Sequence, residues 1–114
     1  MPRTRDLEVI PGTLELLILR ALAWGPMHGL AVLRWIEAGS GRTLRIEEGA
    51  LYPALHRMES RDWVASEWGY TDQGRRARYY RLTAAGRRQF AAERSRWERY
   101  ADVVARLLHT EPAT

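Results

Sequence analysis

Residues 64–88 read VASEWGYTDQGRRARYYRLTAAGRR, and this stretch decides the fold. Val64–Trp68 alternates apolar and polar side chains, and so does Ala77–Leu82, the period of a strand with one face covered. Between them Gly69–Arg75 is a polar segment bracketed by glycines, so the two runs form a β-hairpin with a long tip. Thr83 follows directly, with a hydroxyl suited to capping a helix. That helix runs from Ala84 to about His109. Its length, ~39 Å at about 1.5 Å per residue, exceeds what a small three-helix core can cover.

Before the hairpin the pattern is helical. From Thr13 onward Leu14, Leu17, Ile18, Ala21 and Leu22 recur at the three-four spacing of one buried face, and Leu16 and Leu19 widen it. Trp24-Gly25-Pro26 ends this helix. A second runs from about His28 to Ala38, with Leu30, Val32, Leu33 and Ile36 inward, and stops at Gly39-Ser40-Gly41. Leu44-Arg45-Ile46 is a short extended piece. A third helix spans about Glu48 to Ser60 with Leu51, Leu55 and Met58 on one face, and Pro53 at or just past its first turn. The resulting fold is mainly α with a small β-hairpin wing. A flexible arm (1–11) precedes a winged helix-turn-helix domain (12–83), followed by a C-terminal dimerisation helix (84–109) and a frayed tail (110–114).

All 18 basic residues among the 114 are arginine, against 14 acidic, for a net charge of +4. Arg75, Arg76, Arg78, Arg81, Arg87 and Arg88 face a single acid, Asp72, between Gly69 and Arg88. Such clustering on a hairpin and its exit is the electrostatic footprint of phosphate contact. Cysteine is absent, which excludes disulfides, thiol nucleophiles and cysteine-ligated zinc. His28, His56 and His109 do not have metal-ligand spacing, and no nucleophile elbow or phosphate-cradling glycine loop is present. No enzyme activity, metal or cofactor is expected. No apolar run approaches the ~18–20 residues that span a bilayer, and Met1–Glu8 is polar. The expected location is the cytoplasm.

Arg75 and Arg76 at the tip and Arg78 beside it are candidates for contact with double-stranded DNA. On the third helix Tyr52 offers a hydroxyl to a phosphate or base edge, and its ring is expected against the wing strands. One turn on, His56 or Arg57 could reach base edges. Phe90, Trp97, Tyr100, Val104 and Leu107 form an apolar stripe on the last helix, thickened by Val103 and Leu108 and interrupted by Glu93. That stripe is the expected homodimer seam, and Trp97 and Tyr100 are candidates for binding a small aromatic or cationic effector.

Residues 12–19 (GTLELLIL), 26–29 (PMHG), 49–59 (GALYPALHRME) and 74–86 (GRRARYYRLTAAG) resemble, in order and spacing, the successive signatures of the PadR family. The likeness extends over about residues 12–108. It implies a dimeric regulator, mostly a repressor in this family, responsive to small aromatic or cationic compounds. By the same resemblance the start of the third helix (Gly49, Ala50, Tyr52) and the wing tip (Gln73, Arg75, Arg76) would meet DNA. Trp97 would match the tryptophan that drug-binding members place at the dimer centre. Two positions depart from the pattern: Leu30, where members usually carry an aromatic, and Ala50, where many carry a hydroxyl. The rival readings are a winged-helix protein-interaction module and a small-molecule sensor, neither of which binds an operator.

Overall fold

The computed structural model describes residues 7–113. In chain order the elements are β1 (Leu7–Glu8), α1 (Leu14–Leu22), β2 (Met27–His28), α2 (Gly29–Gly39), β3 (Leu44–Arg45), α3 (Glu48–Ser60), β4 (Val64–Tyr70), β5 (Arg76–Leu82) and α4 (Ala84–Leu108). The core forms where the apolar faces of the first three helices converge. Ile18, Leu19 and Leu22 of α1, Val32 and Ile36 of α2, and Leu51, Leu55 and Met58 of α3 are buried together. Val64, Tyr80 and Leu82 close it from the base of the hairpin, and Ile46 from the link into α3. No polar or charged residue is buried among those described, so the head is held by apolar burial, roughly 1.5–3 kcal/mol per large side chain.

Two features differ from the sequence expectation. The expected flexible arm is structured in its last part: Leu7 and Glu8 pair in parallel with Leu44 and Arg45 of β3. Residues 1–6 lie outside the described residues. Met27 and His28 form a strand that pairs antiparallel with Tyr80 and Tyr79, so the wing belongs to a three-stranded sheet in the order β2-β5-β4. A two-residue strand is too short to show periodicity, and here it ends in a cap, because His28 Nδ1 accepts the Ala31 N–H at 3.2 Å and starts α2. Pro53 stands at the sixth position of α3, just past the first turn, within the placement read from the sequence. It has no N–H to give to the carbonyl of Gly49, an exposed residue.

Thr83 caps α4 as expected: its Oγ1 accepts the Gly86 N–H at 2.9 Å and donates to the Asp62 carbonyl at 2.5 Å. The Trp63 carbonyl accepts the Thr83 N–H at 3.0 Å. A Cβ on Gly86 would lie 1.9 Å from that same oxygen, so only glycine fits. In an open helix Gly→Ala stabilises by about 1 kcal/mol. Gly86→Ala must instead force the helix off Trp63, at a cost of about 2–3 kcal/mol. Urea unfolding is expected to show the midpoint falling; a rise would mean that α4 does not approach Trp63 this closely.

Candidate nucleic-acid interface

At about 3.6 residues per turn, burying Leu51, Ala54, Leu55 and Met58 leaves Gly49, Pro53, His56 and Ser60 on the opposite face of α3, all exposed. Small residues on the first two turns of that face let a ligand come close to the backbone. Ala50, Arg57 and Arg61 flank it on the side of α1. There Glu15 accepts Arg57 Nε at 3.3 Å and Arg61 Nη1 at 3.3 Å. These arginines are more than half exposed, and such surface pairs contribute at most about 1 kcal/mol. Tyr52 and Glu59 flank the other side. The Tyr52 ring, 45% exposed, lies over Gly29 at the start of α2, where a Cβ would come within 2.6 Å of it. The ring thus packs on the start of α2, and its phenol is also close enough to the wing strand β5 to act on that of Tyr80.

The wing is set by strand register. Val64 pairs with Leu82, Ser66 with Tyr80, Trp68 with Arg78 and Tyr70 with Arg76. Alternation therefore gathers these eight side chains on one face. Near α3 that face is core. Beyond Ser66 it emerges into solvent, where Trp68 is 55% exposed beneath two guanidinium groups: Arg76 at 4.4 Å and Arg78 at 5.6 Å from the ring centroid. Arg78 Nε also donates to Ser66 Oγ at 2.8 Å, and Ser66 Oγ donates to Glu59 Oε2 at 2.6 Å. Arg78 Nη2 lies 3.7 Å from that carboxylate oxygen. On the other face Tyr79 covers Gly69, donates to the Tyr70 carbonyl at 3.0 Å, and meets the edge of His28 at 5.5 Å. Burial raises the Tyr80 phenol above its ordinary range, an effect opposed by Arg78 and reinforced by Glu59. The ring stays neutral at physiological pH.

Between the strands, Gly74 takes φ +78° and gives its N–H to the Thr71 carbonyl at 2.8 Å. Thr71 Oγ1 accepts the Arg75 N–H at 3.2 Å, leaving the side chains of Gln73 and Arg75 exposed at the tip. The structure thus brings Gln73, Arg75 and Arg76 together on the outer wing, and Gly49, Ala50, Tyr52 and His56 onto the outer part of α3. It engages the other two candidates with carboxylates, Arg57 with Glu15 and Arg78 with Glu59. Trp68, Ser66 and Glu59 were not anticipated. Alternation alone would have put Ser66, Trp68 and Tyr70 on one face, but pairing them with Arg76 and Arg78 requires the hairpin register.

Beyond the head, α4 projects and gives the protomer extents of 65 × 38 × 21 Å. Phe90, expected at the dimer seam, packs against the edge of the core. Further along, Tyr100, Val103, Val104, Leu107 and Leu108 lie exposed, Leu108 by 78%. Trp97, 37% exposed, tilts toward Tyr100 with centroids 6.4 Å apart. Both rings border a pocket of about 180 Å³ between α4 and the start of α1, lined also by Gly12, Leu16, Glu93 and Arg96. Among the described residues no group of three His, Asp or Glu side chains could hold a metal, and no helix is long and apolar enough to cross a membrane.

Comparison with known proteins agrees with this geometry. Residues 18–92 match the model of the Transcriptional regulator PadR-like family. A transcriptional regulator of Mycobacterium tuberculosis is 36% identical over 95 residues, covering 82% of this chain and 84% of that protein. A 37.1 kDa protein in transposon TN4556 of Streptomyces fradiae is 39% identical over 93 residues, which are 82% of this chain but 23% of that protein. Among solved structures, a PadR family transcriptional regulator from Eggerthella lenta superposes with a TM-score of 0.74 at 35% identity, covering 88% of this chain and 85% of that one.

Proposed function

The chain belongs to the Transcriptional regulator PadR-like family, and from that premise we propose that it is a homodimeric repressor that seats two copies of α3 in successive major grooves of a near-palindromic operator. The wing carries this reading. Arg75 meets no carboxylate among the described residues, and Arg76 rests on an exposed tryptophan. Both sit on the element that a winged helix turns toward the DNA backbone. These arginines supply affinity through phosphate, while Gly49, Ala50, Tyr52 and His56 supply register and base contact.

A two-fold arrangement also accounts for α4. Its stripe from Trp97 to Leu108 is uncovered in the protomer, and a second copy of the same helix covers it with matching chemistry. The effector that suits the pocket beside Trp97 is a small flat aromatic or cationic compound. By itself the pocket is smaller than the roughly 300–1,000 Å³ of common ligand sites, and the partner's helix across the stripe adds the missing wall. Filling it would change the separation of the two heads, and a mismatch with the groove repeat of about 34 Å weakens both half-sites together.

Arg75→Ala combined with Arg76→Ala is expected to weaken specific and random duplexes by similar factors. It should also flatten the plot of log K against log salt by about 1.8 units. An unchanged slope would remove the wing from the interface, and weak binding with no salt dependence would favour a protein-interaction module. Val104→Asp puts an unpaired carboxylate into the seam, so light scattering should find a wild-type dimer and a monomeric or aggregated variant. A wild-type monomer at micromolar concentration would contradict the dimer. Planar cationic or phenolic compounds should quench tryptophan fluorescence saturably in the wild type and not in Trp97→Phe, with the dimer intact. Quenching that survives the substitution would place the effector elsewhere.

A further inference from the structure

We propose that Glu59, Ser66 and Arg78 form a latch that fixes the attitude of the wing relative to α3, and that Arg78 governs operator specificity by positioning the wing without touching phosphate. The proposal rests on the DNA-binding reading above and assigns these three residues a part in it. Three observations carry it, and the first is the engagement of Arg78 itself. Its Nε donates to Ser66 at 2.8 Å, its Nη2 lies 3.7 Å from Glu59, and its guanidinium stands over Trp68. A phosphate arriving at Arg78 would compete with a carboxylate already beside the same guanidinium. Arg75 faces no such competition.

The direction of the hydrogen bonds is the second observation. Ser66 has one hydroxyl, which accepts from Arg78 while donating to Glu59 at 2.6 Å. Donor and acceptor roles therefore run one way, from β5 through β4 to α3, and each bond polarises the next. Third is location. The latch sits where the hairpin passes from core to solvent: Val64, Tyr80 and Leu82 are buried below it, while Trp68 and Tyr70 are exposed above it. A bare two-stranded ribbon is marginally stable, so the outer wing takes its direction from whatever fastens it at this boundary. Trp68 extends the fastening outward by bearing Arg76 as well as Arg78. Fixing this direction matters for an operator, on which helix and wing must engage at once. On random DNA charge alone suffices.

The test compares two duplexes of equal length, one enriched by selection from a random pool and one of random sequence. Arg78→Gln, Glu59→Gln and Ser66→Ala are each expected to weaken the selected duplex about tenfold and the random duplex by less than about twofold, with the salt slopes unchanged. Glu59→Gln is decisive in sign, because removing a negative charge near DNA would otherwise tighten binding to every duplex. The double variant Glu59→Gln/Arg78→Gln should cost no more than either change alone. Thermal melts check that each variant is folded. A slope lowered by about 0.9 in Arg78→Gln, with both duplexes weakened equally, would make Arg78 a phosphate contact and overturn the latch. So would tighter binding by Glu59→Gln, or no change in any variant. If the wild type shows no salt-dependent duplex binding at all, the DNA reading fails, and the latch with it.

Discussion

At Trp63 the chain leaves the third helix, enters the wing and meets the start of the last helix. The Trp63 N–H closes the end of α3 on the Met58 carbonyl at 2.9 Å, after a left-handed turn at Asp62. Its carbonyl takes the Thr83 N–H and stands against the bare Cα of Gly86. Thr83 binds Asp62 with the same hydroxyl that caps α4. The helix that would read DNA, the hairpin that would grip it and the arm that would make the dimer thus radiate from one junction a few residues wide. Each hydrogen bond there contributes only about 1 kcal/mol. The close approach at Gly86 adds a steric constraint without a soft alternative, because the atom in the way is backbone.

From this junction outward, burial decides the geometry first and electrostatics refine it. Apolar side chains from all three head helices and both wing strands meet in one cluster, and the ion pairs of Glu15 and Glu59 lie outside it, on partly exposed side chains. Glu15 with Arg57 and Arg61 is a surface arrangement of little energetic weight. Its effect is on availability, since Arg57 and Arg61 are turned toward α1, while His56 and Tyr52 stay exposed on the outer part of the third helix. The wing divides likewise between Arg78, engaged with α3, and Arg75, engaged with nothing charged among the described residues.

Much of this was legible in the sequence, for a physical reason. Four helices and the hairpin show themselves because each repeats its apolar spacing over five residues or more, and the Thr83 cap has a local signature. The strands at Leu7–Glu8 and Met27–His28 are two residues each, too short to repeat anything. Phe90 fits both the seam stripe and the core, because on a helix that begins inside the head and ends outside it the two faces are continuous. Which arginines are engaged was not readable at all. Arg57 meets a carboxylate 42 positions away, and Arg78 meets Ser66 12 positions away. Such pairings follow from tertiary packing and hairpin register, to which composition and spacing are blind.

Two heads joined by their last helices should read DNA as a pair, and symmetry is the strongest consequence of that arrangement. The most direct measurement is selection of duplexes bound by the intact protein from a random pool, followed by sequencing. The account predicts one enriched site with two-fold symmetry, its half-site centres roughly 10 base pairs apart along one face of the duplex. Enrichment of a single asymmetric half-site, or of nothing beyond the starting pool, would contradict it.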